Sequence, residues 1–102
     1  MLELRPNCEN CGLALPPAST EACICSFECT FCRSCAFDVL GNVCPNCGGG
    51  FTARPVRPSR PLKGEWHLDC HPASTRQVLR PVDPAAHAAF AAAIREIPPA
   101  ER

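Results

Sequence analysis

Apolar positions in this chain cluster in short stretches set between proline- and glycine-rich sequence. Ala22 to Phe27 is apolar enough to form a strand. Ala36-Phe37-Asp38-Val39-Leu40 stops at Gly41-Asn42 and reads as a short helix closed by a glycine C-cap, with Phe37 and Leu40 facing inward. The last stretch predicts a helix over about residues 84–97, with Asp83 as N-cap, Pro84 at the first position, an alanine-rich body and Pro98-Pro99 as the stop. Phe90, Ile94 and Ile97 share one face of that helix. Because a lone helix of this length is marginal in water, the stripe has to pack against the rest of the chain or a partner.

At 102 residues, with 12 prolines and 6 glycines, the chain has little sequence for a conventional core and needs staples. Its ten cysteines can supply them as disulfides or as metal ligands. Met1-Leu2-Glu3-Leu4-Arg5-Pro6 runs into Cys8 without the basic, apolar and cleavage regions of a signal peptide, and no run is long enough to span a bilayer. The expectation is a cytoplasmic protein with no membrane partner, whose thiols stay reduced and open to metal.

Eight of the cysteines form four close pairs: Cys8/Cys11, Cys25/Cys29, Cys32/Cys35 and Cys44/Cys47. A pair two or three residues apart grips an ion from one tight turn, and tetrahedral zinc needs two such pairs, so the array implies two Zn2+. In Cys8-Glu9-Asn10-Cys11-Gly12 and Cys44-Pro45-Asn46-Cys47-Gly48 a glycine follows the second ligand, where positive φ lets the turn aim N–H groups at the sulfurs. Cys32 and Cys35 lead into the short helix, and a metal pair at a helix start facing a hairpin knuckle is a treble-clef arrangement. Spacing alone allows sequential pairing, Cys8/Cys11/Cys25/Cys29 with Cys32/Cys35/Cys44/Cys47, or interleaved pairing. Either way the sites are closed, which excludes catalytic zinc with an open position. An iron–sulfur cluster could use either set of four thiolates.

The interval order resembles a RING-type cross-brace in which Cys29 replaces the usual histidine. Cys29-Thr30-Phe31-Cys32-Arg33-Ser34-Cys35 is similar to the RING central block, and Cys44-Pro45-Asn46-Cys47 to its last knuckle. That resemblance implies interleaved sites, Cys8/Cys11/Cys32/Cys35 and Cys25/Cys29/Cys44/Cys47, in a small metal-stapled α+β fold: a RING-like, treble-clef module with a C-terminal helix. Met1-Leu2-Glu3-Leu4-Arg5-Pro6-Asn7-Cys8 and Ile24-Cys25-Ser26-Phe27-Glu28-Cys29-Thr30-Phe31-Cys32 are closer still to the bacterial family catalogued as domain of unknown function twelve seventy-two. RING resemblance raises ubiquitin-like ligase activity as one reading. Pro45 fits it, but Glu9 and Asn10 are polar where an apolar residue is expected, the helix carries no Trp, and Gly48 stands where many ligases carry a charge.

The chain divides into the cysteine module (1–50), an Arg/Pro-rich linker (51–64) and a C-terminal segment (65–102). Formal charge is zero but uneven: residues 1–50 hold Arg5 and Arg33 against Glu3, Glu9, Glu21, Glu28 and Asp38, whereas residues 51–80 hold six basic side chains against Glu65 and Asp69. Arg54-Pro55-Val56-Arg57-Pro58-Ser59-Arg60-Pro61 repeats Arg-Pro-x, which in a polyproline II helix lines the arginines along one edge about 9 Å apart. Arg54, Arg57, Arg60 and Lys63 are therefore candidates for binding an anionic partner, nucleic acid included. The same stretch also reads as a stiff spacer, or as a stripe lying against the acidic module.

Cys23 and Cys70 are left over. Cys23 could be a spare ligand but reads better as a small buried residue. Trp66-His67-Leu68-Asp69-Cys70-His71 places three potential ligands together without a second matched pair, and His87 has no evident role. The function expected is a non-enzymatic structural zinc module acting as a protein-interaction or adaptor unit, with no small-molecule substrate. Nucleic-acid or acidic-partner binding and ligase activity are the alternatives.

Overall fold

In the computed structural model, which describes residues 1–102, three short strands form one antiparallel sheet: β1 (Ala22–Ile24), β2 (Thr30–Cys32) and β3 (Thr52–Ala53). Their order is β2-β1-β3, with Cys23 opposite Phe31 on one side and Ala53 on the other. The apolar stretch from Ala22 thus pairs only as far as Ile24, because Cys25 starts the turn that leads to Cys29. Glu28 takes φ 66° in that turn, and the Cys25 N–H donates to the Cys29 carbonyl at 3.2 Å. A second hairpin carries the first knuckle, with the Cys8 N–H donating to Leu13 O at 2.8 Å and the Leu15 N–H to Pro6 O at 2.8 Å.

The short helix after Cys32 is a single wide turn of π geometry over Ser34–Val39. Its closing bond runs from the Leu40 N–H to Cys35 O, and Gly41 and Asn42 then take positive φ as the stop requires. Cys35, Ala36 and Leu40 are the buried residues there, so the expected inward pair is corrected in one member: Phe37 is 38% exposed. The wider turn advances the side chains less per residue, which leaves Phe37 at the rim, edge-on to Phe51 at 6.5 Å. Phe51 in turn meets the buried Phe31 edge-on at 5.3 Å.

Leu4, Leu15, Phe31, Leu40 and Val43 are the largest buried apolar side chains, and most of the remaining core is cysteine. The radius of gyration is 14.5 Å, above the roughly 13 Å of a rounded chain of this length. So small an apolar core, in a molecule extended to 46 × 27 × 18 Å, leaves the thiol clusters to hold it together.

Helix α1 spans Pro84–Ile94, shorter than the expected 84–97, and Asp83 Oδ1 accepts from the Ala85 N–H at 3.1 Å as its N-cap. A separate turn over Pro99–Glu101 follows. The buried face of α1 is His87 and Ala91, with Ile94 half-buried, while Phe90 and Ile97 are more exposed. The expected Phe90/Ile94/Ile97 stripe is thus rotated. Its cause is His87: the imidazole Nε2 lies 2.9 Å from the Val43 carbonyl, fixing which side of the helix meets the module. Gly48, with φ 78°, lies under the helix, where an added Cβ would sit 3.5 Å from Ile94 Cδ1.

Residues 51–82 do not form a spacer between separate parts. They run back across the cysteine module: Asn7 Nδ2 donates to Val78 O at 2.9 Å, the Arg80 N–H to Glu9 O at 2.7 Å, and the Val82 N–H to Asn10 Oδ1 at 2.8 Å.

Candidate metal centres

The sulfurs of Cys8, Cys11, Cys32 and Cys35 lie within 4.8 Å of one another, and so do those of Cys25, Cys44 and Cys47. The first knuckle has therefore met the pair that opens the π turn, and the last knuckle has met the β1–β2 turn. Sequential grouping of the pairs is not what the chain forms. Cys29 falls outside the tight second group, yet the Asn46 side-chain amide of the last knuckle donates to its sulfur at 3.4 Å.

Each group is framed by N–H donors from its own turns. Asn10 Nδ2 donates to Cys35 Sγ at 3.3 Å, the Cys35 N–H to Cys32 Sγ at 3.5 Å, the Phe27 N–H to Cys25 Sγ at 3.3 Å and the Gly49 N–H to Cys47 Sγ at 3.4 Å. The knuckle glycines take the expected positive φ, 79° at Gly12 and 78° at Gly48, while their own N–H groups donate to Cys8 O at 3.0 Å and Cys44 O at 2.8 Å. Asn10 and Asn46 hold the same place in the two knuckles and make the same bond, each to the sulfur of a facing pair. The sequence pointed to Asn10 only as a polar residue and to Asn46 not at all, although their identical position after a Cys-x step was the available signal.

Electrostatics in the groups conflict without a cation. Burial opposes ionisation of Cys8, but the backbone N–H groups of Cys11, Cys32 and Asn10 outweigh it and lower its pKa. Burial, reinforced by neighbouring sulfurs, pushes the thiols of Cys35 and Cys44 far up. Closely spaced sulfurs with N–H groups aimed at them, unable all to ionise on their own, match the donor set of a thiophilic divalent ion. Both groups fit such an ion.

Cys23 is buried in β1 opposite Phe31 and belongs to neither group, with burial raising its pKa. The candidate anion stripe is corrected. Arg54 is 4% exposed and donates to the carbonyls of Arg5 at 2.9 Å, Leu15 at 3.1 Å and Pro16 at 3.0 Å. Arg57 donates to the carbonyls of His71 and Leu2, both at 2.8 Å. These guanidiniums satisfy loop carbonyls that no strand or helix reaches, so the stripe faces inward, toward backbone and not toward carboxylates. Only Arg60 and Lys63 remain exposed.

The acidic side chains of the module find other arginines. Glu9 is 3% exposed inside the first knuckle, with Oε2 accepting from Arg5 at 2.7 Å and from the Thr30 N–H at 2.6 Å. Glu3 accepts from Arg76 at 2.8 and 3.1 Å, from Arg5 at 3.1 Å and from Ser74 Oγ at 2.9 Å. The Arg76 guanidinium, aided by Ser74 and Arg5, holds the Glu3 carboxyl down at about 2 against the opposing effect of burial.

A small antiparallel sheet, one helix and two largely buried cysteine clusters able to hold metal define this molecule as a cysteine-rich α+β protein. It belongs to the family described as protein of unknown function (DUF1272), whose model matches residues 1–57 and so covers every clustered cysteine. It is 57% identical over 81 residues, 79% of this chain and 89% of the relative, to an uncharacterised protein of Rhizobium meliloti (strain 1021). No solved structure matches. No helix is long and apolar enough to cross a membrane.

Proposed function

We infer that the chain is a non-enzymatic two-zinc module of RING-like, cross-braced design, with Cys8/Cys11/Cys32/Cys35 as one site and Cys25/Cys29/Cys44/Cys47 as the other. The observation that carries this reading is the interleaved convergence of the sulfurs, with Asn10 and Asn46 serving the two groups alike. Cys29 completes the second site: it sits across the turn from Cys25, and Asn46 of the last knuckle holds its sulfur beside the group. With four thiolates on each ion there is no open position for water or substrate, so the ions hold the fold and its surface does the work.

That surface suits a protein partner. Phe27, at 71% exposed, Val39 and the rim of Phe37 stand around the turns that the clusters fix. Exposed apolar side chains on turns held rigid are contacts an adaptor can offer a partner. Native mass spectrometry of the purified chain tests the metal reading: two zinc ions per chain are expected, and any other count overturns it. Of the Arg/Pro stripe, only Arg60 and Lys63 stay exposed to an anionic macromolecule, and Glu9, locked beneath Arg5, offers no knuckle contact of the kind a RING ligase uses.

A further inference from the structure

Outside the clusters, one thiol is exposed and has a base beside it. Cys70 Sγ lies 3.6 Å from His67 Nε2, held there by a tight turn in which the N–H groups of Cys70 and His71 both donate to His67 O, at 3.2 and 2.9 Å. His67 is 9% exposed, and its other ring nitrogen, Nδ1, is buried with no hydrogen-bond partner. Asp69 Oδ2 lies 4.0 Å from Nδ1, on a side chain that is 89% exposed and free to close the gap. Thiol, imidazole and carboxylate thus stand in the order of an activated nucleophile, its base and the group that orients the base.

His67 also lines a cavity of about 280 Å³, with Arg57, Pro58, Trp66, His71 and Met1 as the other walls. Trp66 and His71 are stacked there, 5.2 Å between centroids and 8° apart in plane. Arg57 fixes its guanidinium with two carbonyl bonds and brings a positive charge to the same wall. The Arg57 guanidinium at this wall suits a carboxylate, and the stacked rings suit the apolar stem that carries it.

We propose that Cys70 is a site of reversible thiol–disulfide exchange with the disulfide of a small, carboxylate-bearing thiol, activated by His67 and separate from the metal centres. Cys70 gives its proton to His67 Nε2, and Asp69 accepts a hydrogen bond from Nδ1–H of the resulting imidazolium. The Cys70 sulfur attacks one sulfur of the incoming disulfide, whose S–S bond breaks as the new S–S bond forms. The other half departs as a thiolate and takes the proton from Nε2. A second small thiol reverses the step, so no net oxidant beyond the disulfide itself is consumed.

The test exposes the metal-loaded chain to oxidised glutathione near neutral pH and follows the modified residue by peptide mass mapping and the metal content in parallel. One glutathione on Cys70 with both ions retained is the expected product, and the cationic disulfide cystamine reacts more slowly. His67→Gln slows the reaction about tenfold, a modest share of what a positioned base can supply. Should that variant fail to fold by circular dichroism, Asp69→Asn gives the same reading through a solvent-facing side chain, with the rate falling severalfold. Modification confined to the clustered cysteines with loss of metal overturns the proposal, as does an unchanged rate in the folded variant.

Discussion

Asn46 donates its side-chain amide to Cys29 Sγ, and the bond joins the last knuckle to the turn after β1 across seventeen residues. It ties in the one sulfur that stands apart from its group. Donors of this kind orient a ligand and moderate its charge, and their loss costs metal affinity about 10- to 100-fold. Asn46→Ala is expected to weaken the second site by that factor and leave the first unchanged. A chelator competition that resolves two release steps reads this directly, with Asn10→Ala as the reciprocal case for the first site.

Arg54 was the residue whose role the sequence disguised most. Its three carbonyl acceptors belong to residues 5, 15 and 16, so one side chain fastens the stretch after β3 to both arms of the first hairpin. Burial lowers its pKa without coming near removing the charge. Arg54→Ala leaves the Arg5 and Leu15 carbonyls unserved, Pro16 O keeping the Ser19 N–H, and is expected to cost about 2–3 kcal/mol. Arg54→Lys recovers little, because an ammonium lacks the planar fork that reaches several carbonyls at once. Thermal unfolding of the metal-loaded proteins distinguishes the two, and an anion-binding role would instead leave stability untouched.

Glu3 gives the fold a dependence on acid. Its carboxyl titrates at about 2 in the folded chain, against 4.5 for the free side chain. A carboxyl with a lowered folded pKa contributes stability above its unfolded value and loses that contribution as pH falls toward its folded value. The contacts lie near the surface and are screened, so the contribution is about 1 kcal/mol. Glu3→Gln should therefore trail the natural chain by that much at pH 7, and the gap should narrow as the pH falls from about 4.5 to about 2. Acid also strips metal from both chains, so the difference is read over the part of that range in which both still unfold cooperatively.

What could be read from the sequence followed what local chemistry specifies. Cysteine spacing predicted clusters, and glycine after the second ligand predicted left-handed turns at Gly12 and Gly48. Asp83-Pro84 predicted the start of α1. Long-range choices were hidden. Nothing in Arg-Pro-x says whether an arginine faces water or a loop carbonyl, since that depends on which carbonyls the fold leaves unpaired. His87 looked idle for the same reason, because its partner Val43 is 44 residues away. The stripe read on α1 was an apolar pattern, but a polar contact set the helix rotation.

That contact makes a prediction about α1. His87 is buried, and its ring nitrogen meets a carbonyl that belongs to no strand or helix. His87→Leu keeps the bulk but leaves Val43 O without a partner, at a cost of about 1–3 kcal/mol. Hydrogen exchange in α1 should speed up while protection in β1 and β2 persists, since the helix touches the module chiefly at this residue, Ala91 and the Gly48 turn. Equal loss of protection in the sheet would mean that the helix is integral to the core.

Metal removal should go further and release the module together with the helix that packs on it. The core is small and much of it is cysteine, so stripping the ions leaves crowded thiols where the staples were. A strong chelator is expected to abolish β1–β2 pairing, because Cys25 and Cys29 flank those strands, Cys32 ends β2, and all three lose their positions together. Circular dichroism should show the loss in a cooperative step, and added zinc should restore it under reducing conditions. Cys8→Ser alone should make the transition far easier, since Cys8 is fully buried and its removal opens the first site. Cys23→Ser, equally buried but outside both groups, should leave the metal count at two and cost only the burial of a hydroxyl.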